Sequence, residues 1–362
     1  MNRNHGRAFV VIVALLAVAT LAVWLFWPRN GESSDTGDGG DESTVVSRNN
    51  GRDAGDGNTP VDNGGGTDDE GPDDGNGSDG NGGDDQQPVR PAVSQAEARQ
   101  AYQRGLELLE AGDVLAARAE LSKAILSGGL EGPDERDAIE KATDLARRTI
   151  LSREVFPEDP YVSYYTVQSG DTLADQRNRP GIINKLDLRV PSEAILRVNG
   201  MQDARSLRAG QDLKVVSGPF HAIVTKHNFT CDVYLHRSGL DPVFVARLRV
   251  GLGKNGSTPS GLWQVSSKLP FATWYPPPNA PDRGPIGPGD PNYPLGEKGL
   301  WIGIEGLDEN TQGRFGYGIH GTDDPGSIGR EESLGCIRLA DDDIELLFAL
   351  LREGHSTVEV RP

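Results

Sequence analysis

Cysteine is scarce in this 362-residue chain, with only Cys231 and Cys336 present and no CxxC pair. That scarcity excludes a disulfide framework and gives no sign of a zinc site. Lys and Arg form no cluster on any segment that could fold, so the basic footprint of a nucleic-acid-binding module is absent. Apolar residues are almost missing between Asn30 and Arg90, where 16 acidic residues face 3 basic ones and supply about 13 of the net charge of −18. A stretch such as GGGTDDEGPDDGNGSDGNGGDD can bury too little to offset the entropy of ordering. It predicts a disordered acidic spacer.

What is present is strongly segmented. Residues Ala8 to Trp27 are apolar except for Thr20, long enough to cross a hydrocarbon core as one helix. Arg3 and Arg7 precede this run and acidic sequence follows it, so the positive-inside bias places the N-terminus in the cytoplasm. A cleaved signal peptide is the alternative, because Ala17-Val18-Ala19 has an AxA form. That triplet lies inside an apolar run longer than a usual signal core, and a retained anchor is the expectation.

From Ser94 to Arg153 the period becomes helical. Tyr102, Gly105, Leu108 and Leu109 form one stripe; Val114, Ala117, Leu121 and Ile125 a second; Ile139, Ala142, Ala146 and Ile150 a third. AYQRGLELLEAGDVLAARAELSKAI resembles one tetratricopeptide repeat, with small residues where two helices must approach. A single repeat is too short for a binding superhelix. A packing module is the first expectation, and a surface for a protein partner the second.

Pro157 and Pro160 end the helical pattern. YYTVQSGDTLADQ, then Ala194 to Asn199 (AILRVN), then Leu207 to Val215 (LRAGQDLKV), resemble the LysM domain, a small strand-helix-helix-strand fold that binds N-acetylglucosamine-containing glycans. The resemblance implies a sugar-facing surface at Gly170, Asp171, Thr172, Leu173, Asn199 and Gly200. Each also has a local structural reading, since Gly-Asp serves turns and caps.

After Ser217 the pattern alternates and predicts strands at HAIVTKH, CDVYLHR, VFVARLRVGLG and GLWQV, followed by a terminal helix over Asp342 to Arg352 with Asp341 as its cap and Gly354 as its stop. Near the end stands YGIHGTDDPGSIGREESLGCIRLADDDIELL. Gly316, Gly318 and Gly321 let backbone crowd around His320, and Ser333-Leu334-Gly335 forms a small turn before Cys336 that could aim backbone N–H groups at an oxyanion. A free thiol is only a few per cent thiolate at neutral pH, so a nucleophilic Cys336 needs His320 as its base, and a thiolate–imidazolium pair is expected. Arg338 could hold a substrate carboxylate or pair with the Asp341 to Asp343 run. Cys231 falls in an alternating strand and reads as core.

At these residues the chain resembles the L,D-transpeptidase (YkuD-type) catalytic domain, through TPSGLW at Thr258 to Trp263, YPLG at Tyr293 to Gly296, IHGT at Ile319 to Thr322 and SLGCIRL at Ser333 to Leu339. The resemblance implies attack by Cys336 on the carbonyl preceding the terminal D-alanine of a peptidoglycan stem tetrapeptide. D-Alanine leaves, and a thioester goes on to an amine, giving a cross-link, or to water, giving a trimmed stem. It also implies His320 as base, oriented by a backbone carbonyl near Gly321 or by the Ser333 hydroxyl, and acylation by carbapenems. Trp274 and Tyr275 precede a Pro-rich run to Pro294 where such enzymes insert a lid, so they are candidate substrate contacts. The family commonly has a second histidine immediately before Gly-Cys, and this chain has Leu334; because His320 matches the base, catalysis is expected to survive.

The expected architecture is therefore multidomain: a cytoplasmic N-terminus (1–7), a transmembrane helix (8–28), a disordered linker (29–92), a helical TPR-like segment (93–156), an α+β LysM domain (161–217) and a β-rich catalytic domain with a terminal helix (218–362). No metal or other cofactor is called for. The expected partners are peptidoglycan stems and glycan strands, the membrane through the first helix, and a protein docked on the helical segment. The expected location is the inner membrane, single-pass, with catalysis in the periplasm or cell envelope. A non-catalytic wall-binding anchor is the rival reading.

Overall fold

The computed structural model describes residues 94–276 and 284–362, so the expected N-terminus, membrane helix and acidic linker lie outside the described residues. Among the described residues no helix is long and apolar enough to cross a membrane.

The helical segment begins at a capping box: the Ser94 hydroxyl accepts from Glu97 N (3.2 Å) and the Glu97 carboxylate accepts from Ser94 N (2.9 Å). Helix α1 (Gln95–Glu110) turns at Gly112, whose φ of 80° suits glycine, into α2 (Val114–Leu126), capped by Asp113 through Ala116 N at 3.2 Å. Gly105 is small because α2 crosses there, and a Cβ would stand 2.8 Å from Leu121 Cδ2. A third helix, α3 (Gly132–Thr149), completes the layer.

Ala101, Leu121, Ala124, Ala142 and their neighbours share one buried cluster with Ile223, Tyr234 and Phe244 of the β-rich unit. Phe244 N donates to Ser122 Oγ at 3.0 Å, and Arg247 bridges Glu135 (2.6 Å) and Asp232. The apolar stripe that could have received a protein partner is thus largely covered by the chain's own sheet, as the packing-module reading expects.

A small α+β unit follows: β1 (Val162–Thr166), α4 (Ile182–Lys185), α5 (Ser192–Val198) and β2 (Asp212–Val216), with β1 and β2 antiparallel and Tyr164 opposite Lys214. Two buried cations fasten it to α3. Arg118 pairs with Asp159 (2.5 Å) and donates to Thr149 Oγ1 (2.7 Å), while Lys214 Nζ donates to the carbonyls of Thr149, Ser152 and Glu154 at 2.6–2.8 Å. Those carbonyls lie at or just past the C-terminus of α3, where backbone dipoles favour a cation.

The β-rich unit contains β3 (Phe220–Thr225), β4 (Thr230–Leu235), β5 (Val243–Arg249), β6 (Leu252–Gly253), β7 (Gly261–Leu269), β8 (Trp301–Gly306), β9 (Gly318–Gly321), β10 (Glu331–Ser333), β11 (Ile337–Leu339), α6 (Asp341–Leu350) and β12 (Thr357–Arg361). Eight strands form one sheet in the order β11-β9-β8-β7-β12-β3-β4-β5, and β6 pairs with β10 in parallel. Cys231 is buried in β4 opposite Leu248, and burial pushes its thiol pKa up.

The terminal helix departs from expectation at both ends. Ala340, not Asp341, occupies the cap position, and α6 stops at Leu350 before Arg352. Asp341 is drawn away from capping because one carboxylate oxygen accepts from Glu297 N at 3.2 Å, beside the YPLG turn.

Candidate active site

Three strands build the site. In β8, β9 and β11, Trp301, His320 and Arg338 stand opposite one another and so share one face of the sheet. Cys336 lies two residues before Arg338, immediately ahead of β11, on the side of Gly318. The Trp301 indole stacks on the imidazole, with centroids 5.6 Å apart and planes at 11°. Gly318 must be glycine, since a Cβ there would collide with that indole.

His320 is buried, and its Nδ1 is 2.5 Å from Gly321 O. A carbonyl can only accept, so Nδ1 carries the hydrogen and Nε2 holds the free lone pair. Of the two orienting groups the sequence suggested, the geometry selects the Gly321 carbonyl. The Ser333 hydroxyl donates instead to Cys336 O (2.6 Å) and accepts from Gly335 N (3.1 Å). Ser333 therefore shapes the turn at the thiol and does not orient the imidazole. With Gly335 N engaged, the run of free amides expected before Cys336 is shorter than the sequence suggested.

Thr258 secures the same turn from behind, accepting from Gly253 N (2.9 Å) and donating to Gly335 O (2.9 Å). Gly335 sits at φ 143°, and a Cβ there would stand 2.8 Å from Tyr317 Cε1. Thr258 and Trp301 are the positions that residue-by-residue reading missed. Thr258 was visible only as the first letter of TPSGLW.

Electrostatics oppose a resting ion pair. Burial depresses the His320 pKa to about 4, assisted by the nearby Arg338 charge and resisted by the hydrogen bond to Gly321. Burial also raises the Cys336 thiol above its ordinary value, an effect that the Gly318 N–H and Arg338 only partly offset. Both groups are neutral at rest near pH 7, so the expected thiolate–imidazolium pair gives way to thiol plus imidazole. Arg338 makes no ion pair with Asp341, Asp342 or Asp343; its Nε is buried without a hydrogen-bond partner. This excludes the surface-pair reading of Arg338.

A cavity of about 530 Å3 opens at the sulfur, walled by Trp274, Tyr275, Trp301, Tyr317, Leu334 and Cys336. Both sequence-derived substrate contacts, Trp274 and Tyr275, stand in this wall. Trp274 is pinned to Ile286 by two backbone hydrogen bonds (2.8 and 2.9 Å), and it packs with Ile286 on a small cluster of Ala272, Tyr293 and Leu295. Leu334, in the place of the expected second histidine, is 64% exposed at the rim.

The residues suggested for sugar contact are mostly engaged within their own fold. Leu173 is buried, and Asn199 is buried with its amide bonded to Ile195 O, Lys214 O and Lys214 N. The Asp171 carboxylate accepts from Tyr165 OH (2.6 Å) and Gln168 N (2.8 Å), Thr172 Oγ1 donates to Ala174 O, and Arg179 donates to Gly170 O. Gly200 closes α5 at φ 63°, with open space around its Cα.

Comparison with known proteins agrees with this geometry. Residues 226–360 match the family model described as the L,D-transpeptidase catalytic domain (YkuD), and residues 180–216 match the LysM domain. Among curated relatives, "Putative L,D-transpeptidase YqjB" of Bacillus subtilis is 42% identical over 66 residues, covering 18% of this chain and 35% of that protein. "Putative L,D-transpeptidase YkuD" of the same organism is 26% identical over 201 residues, covering 52% of this chain and 94% of that protein. An L,D-transpeptidase structure from Mycobacterium smegmatis aligns at 16% identity over 42% of this chain and 64% of its own, with a TM-score of 0.30. The chain spans about a third of the length of YqjB. An L,D-transpeptidase catalytic domain and a LysM domain are both found in the chain.

Proposed function

We propose that the chain is a peptidoglycan L,D-transpeptidase that works through a thioester on Cys336. The observation that carries this reading is the placement of a nucleophile in the wall of an aromatic cavity, on the same sheet face as an imidazole whose Nδ1 is held by Gly321 O. Cys336 Sγ attacks the carbonyl before the terminal D-alanine as His320 Nε2 takes the thiol proton. The tetrahedral oxyanion is received by the amide of Cys336, which no hydrogen bond among the described residues engages. His320 returns the proton to the departing D-alanine amine. An acceptor amine then loses a proton to His320 and attacks the thioester, restoring the thiol and forming the cross-link. Arg338, whose charge acts on the sulfur, holds a stem carboxylate there.

Water in place of the amine gives L,D-carboxypeptidation on the same site. The aromatic wall of Trp274, Tyr275 and Trp301 disfavours water and supports transfer. The apolar run at residues 8–28 is proposed as a single-pass anchor, with the acidic linker giving the catalytic unit reach into the wall. The LysM unit is proposed to retain the polymer and raise local substrate concentration.

The test is incubation of the full-length chain in detergent with disaccharide-tetrapeptide muropeptides and mass spectrometry of the products. Dimers that have lost D-alanine are expected, and Cys336→Ala abolishes them. Tripeptides alone would convert the reading to carboxypeptidase, and products that persist in Cys336→Ala would overturn it.

A further inference from the structure

A second cavity, of about 600 Å3, lies between the LysM-type unit and the catalytic unit. Its volume falls within the range of ligand pockets, about 300–1,000 Å3. From one side it is walled by α4 and the entry to α5, through Asn184 and Glu193; from the other by the end of β7, the last turn of α6 and the segment after it, through Lys268, Pro270, Phe348 and Arg352. Arg352 Nη2 donates to Asn184 Oδ1 at 2.7 Å, tying the two walls together.

The informative residue is Lys268. Its side chain is 8% exposed, yet its ammonium finds no hydrogen-bond acceptor: Glu193 stands 4.0 Å away and the Phe348 ring centroid 4.3 Å. An ammonium whose donors no hydrogen bond uses, standing in a cavity wall beside one distant carboxylate, can take acceptor atoms from a ligand. The charges around it are mixed, because Glu193 and Glu353 face Lys268 while Arg352 and His355 stand on the same wall. No single sign dominates, so the cavity does not select a carboxylate or an ammonium. Donors and acceptors of both signs beside Phe348 and Pro270 suit a neutral ligand with many hydroxyl and amide groups and apolar ring faces.

We infer that this interdomain cavity binds the glycan strand of the wall polymer, through the hydroxyl and acetamido groups of an N-acetylated sugar. The inference rests on the reading of the chain as a peptidoglycan enzyme and adds a sugar site away from the loop surface at Gly170 to Leu173 and Asn199 to Gly200. Those loop residues have their polar groups turned inward, whereas the cavity has polar groups to spare. Lys268 and Pro270 line this cavity while Leu269 and Ala272 line the one at Cys336, so the two adjoin across a single strand end. A glycan held here delivers its own stem peptide toward the sulfur, and a ligand touching both walls holds the two units in register.

The experiment titrates the full-length chain in detergent with the β-1,4 tetramer of N-acetylglucosamine by calorimetry, and separately with a sugar-free stem tetrapeptide. Carbapenem acylation of Cys336, followed by intact mass, reports independently on the catalytic reading and on folding. The wild type binds the sugar tetramer, and both Lys268→Met and Ser192→Phe, the latter filling the cavity from its LysM wall, weaken it by about tenfold or more. Acylation proceeds in both at the wild-type rate. If Lys268→Met fails to acylate because it misfolds, Ser192→Phe and Glu193→Gln decide. Sugar affinity unchanged in the acylating variants, no sugar binding by the wild type, or loss of tetrapeptide but not sugar binding in the variants would each overturn the inference. Sugar binding without acylation of the wild type would instead count against the catalytic reading alone.

Discussion

The protonation state of Cys336 decides how the first step runs, and it can be read directly. Burial holds the thiol above its ordinary value near 9.0, while burial and the Arg338 charge hold His320 at about 4. A thiol raised above its ordinary value is a minor thiolate at neutral pH, and below its pKa the thiolate fraction grows about tenfold per pH unit. Alkylation of the full-length chain by iodoacetamide should therefore accelerate by about that factor per unit through neutral pH and reach no plateau in that range. The buried Cys231 does not compete, so intact mass reports a single addition. Substituting His320→Ala should change the rate by less than about threefold, because a neutral imidazole contributes no charge to stabilise the thiolate. A plateau with a midpoint at or below pH 7 that rises on His320→Ala would establish a resting ion pair and refute the argument.

Further outcomes follow from the same geometry. His320 favours its neutral form in the folded state, so its stabilising contribution is complete above about pH 6.5 and is lost as pH falls through about 4, a total of roughly 3 kcal/mol; denaturant titrations at both ends of that window should show the loss in wild type and not in His320→Gln. Arg118→Met leaves Asp159 buried without its partner and should cost about 3–5 kcal/mol, recovered in large part by Arg118→Met with Asp159→Asn, as measured by urea unfolding. Gly318→Ala forces the Trp301 indole off the His320 ring and should lower kcat about tenfold to a hundredfold, with a changed tryptophan near-ultraviolet signal. Leu334→His puts an imidazole on the exposed rim and should change kcat/KM by less than about threefold, which steady-state turnover of a tetrapeptide will check.

How much of this was legible beforehand depends on the range over which each feature is determined. The start of the helical run at Ser94 and the small residues between its first two helices, Gly105 among them, were readable because helical periodicity and helix crossing act over a few residues. The boundaries of α6 were not, because Asp341 is claimed by Glu297 N, a contact 44 residues away that overrides a good local cap. The same limit applies to the helical segment: periodicity located its apolar stripe, but Ile223, Tyr234 and Phe244, which cover it, are set by strand pairing far along the chain.

At the site, residue identity was legible and electrostatics was not. Cys336, His320 and Gly321 stood out because their glycine-rich setting is local, and the structure places Cys336 just ahead of β11, the strand paired with the His320 strand, with Gly321 O bonded to the imidazole. Their charge state depends on desolvation by a three-dimensional shell, including Trp301 stacked from β8 and the aromatic wall of the cavity, and this reverses the ion pair that a solvated thiol would need. The same desolvation bears on Leu334 under the proposed mechanism. A second histidine on that rim would be solvated, whereas the proposed proton transfer uses the buried imidazole whose tautomer Gly321 O fixes.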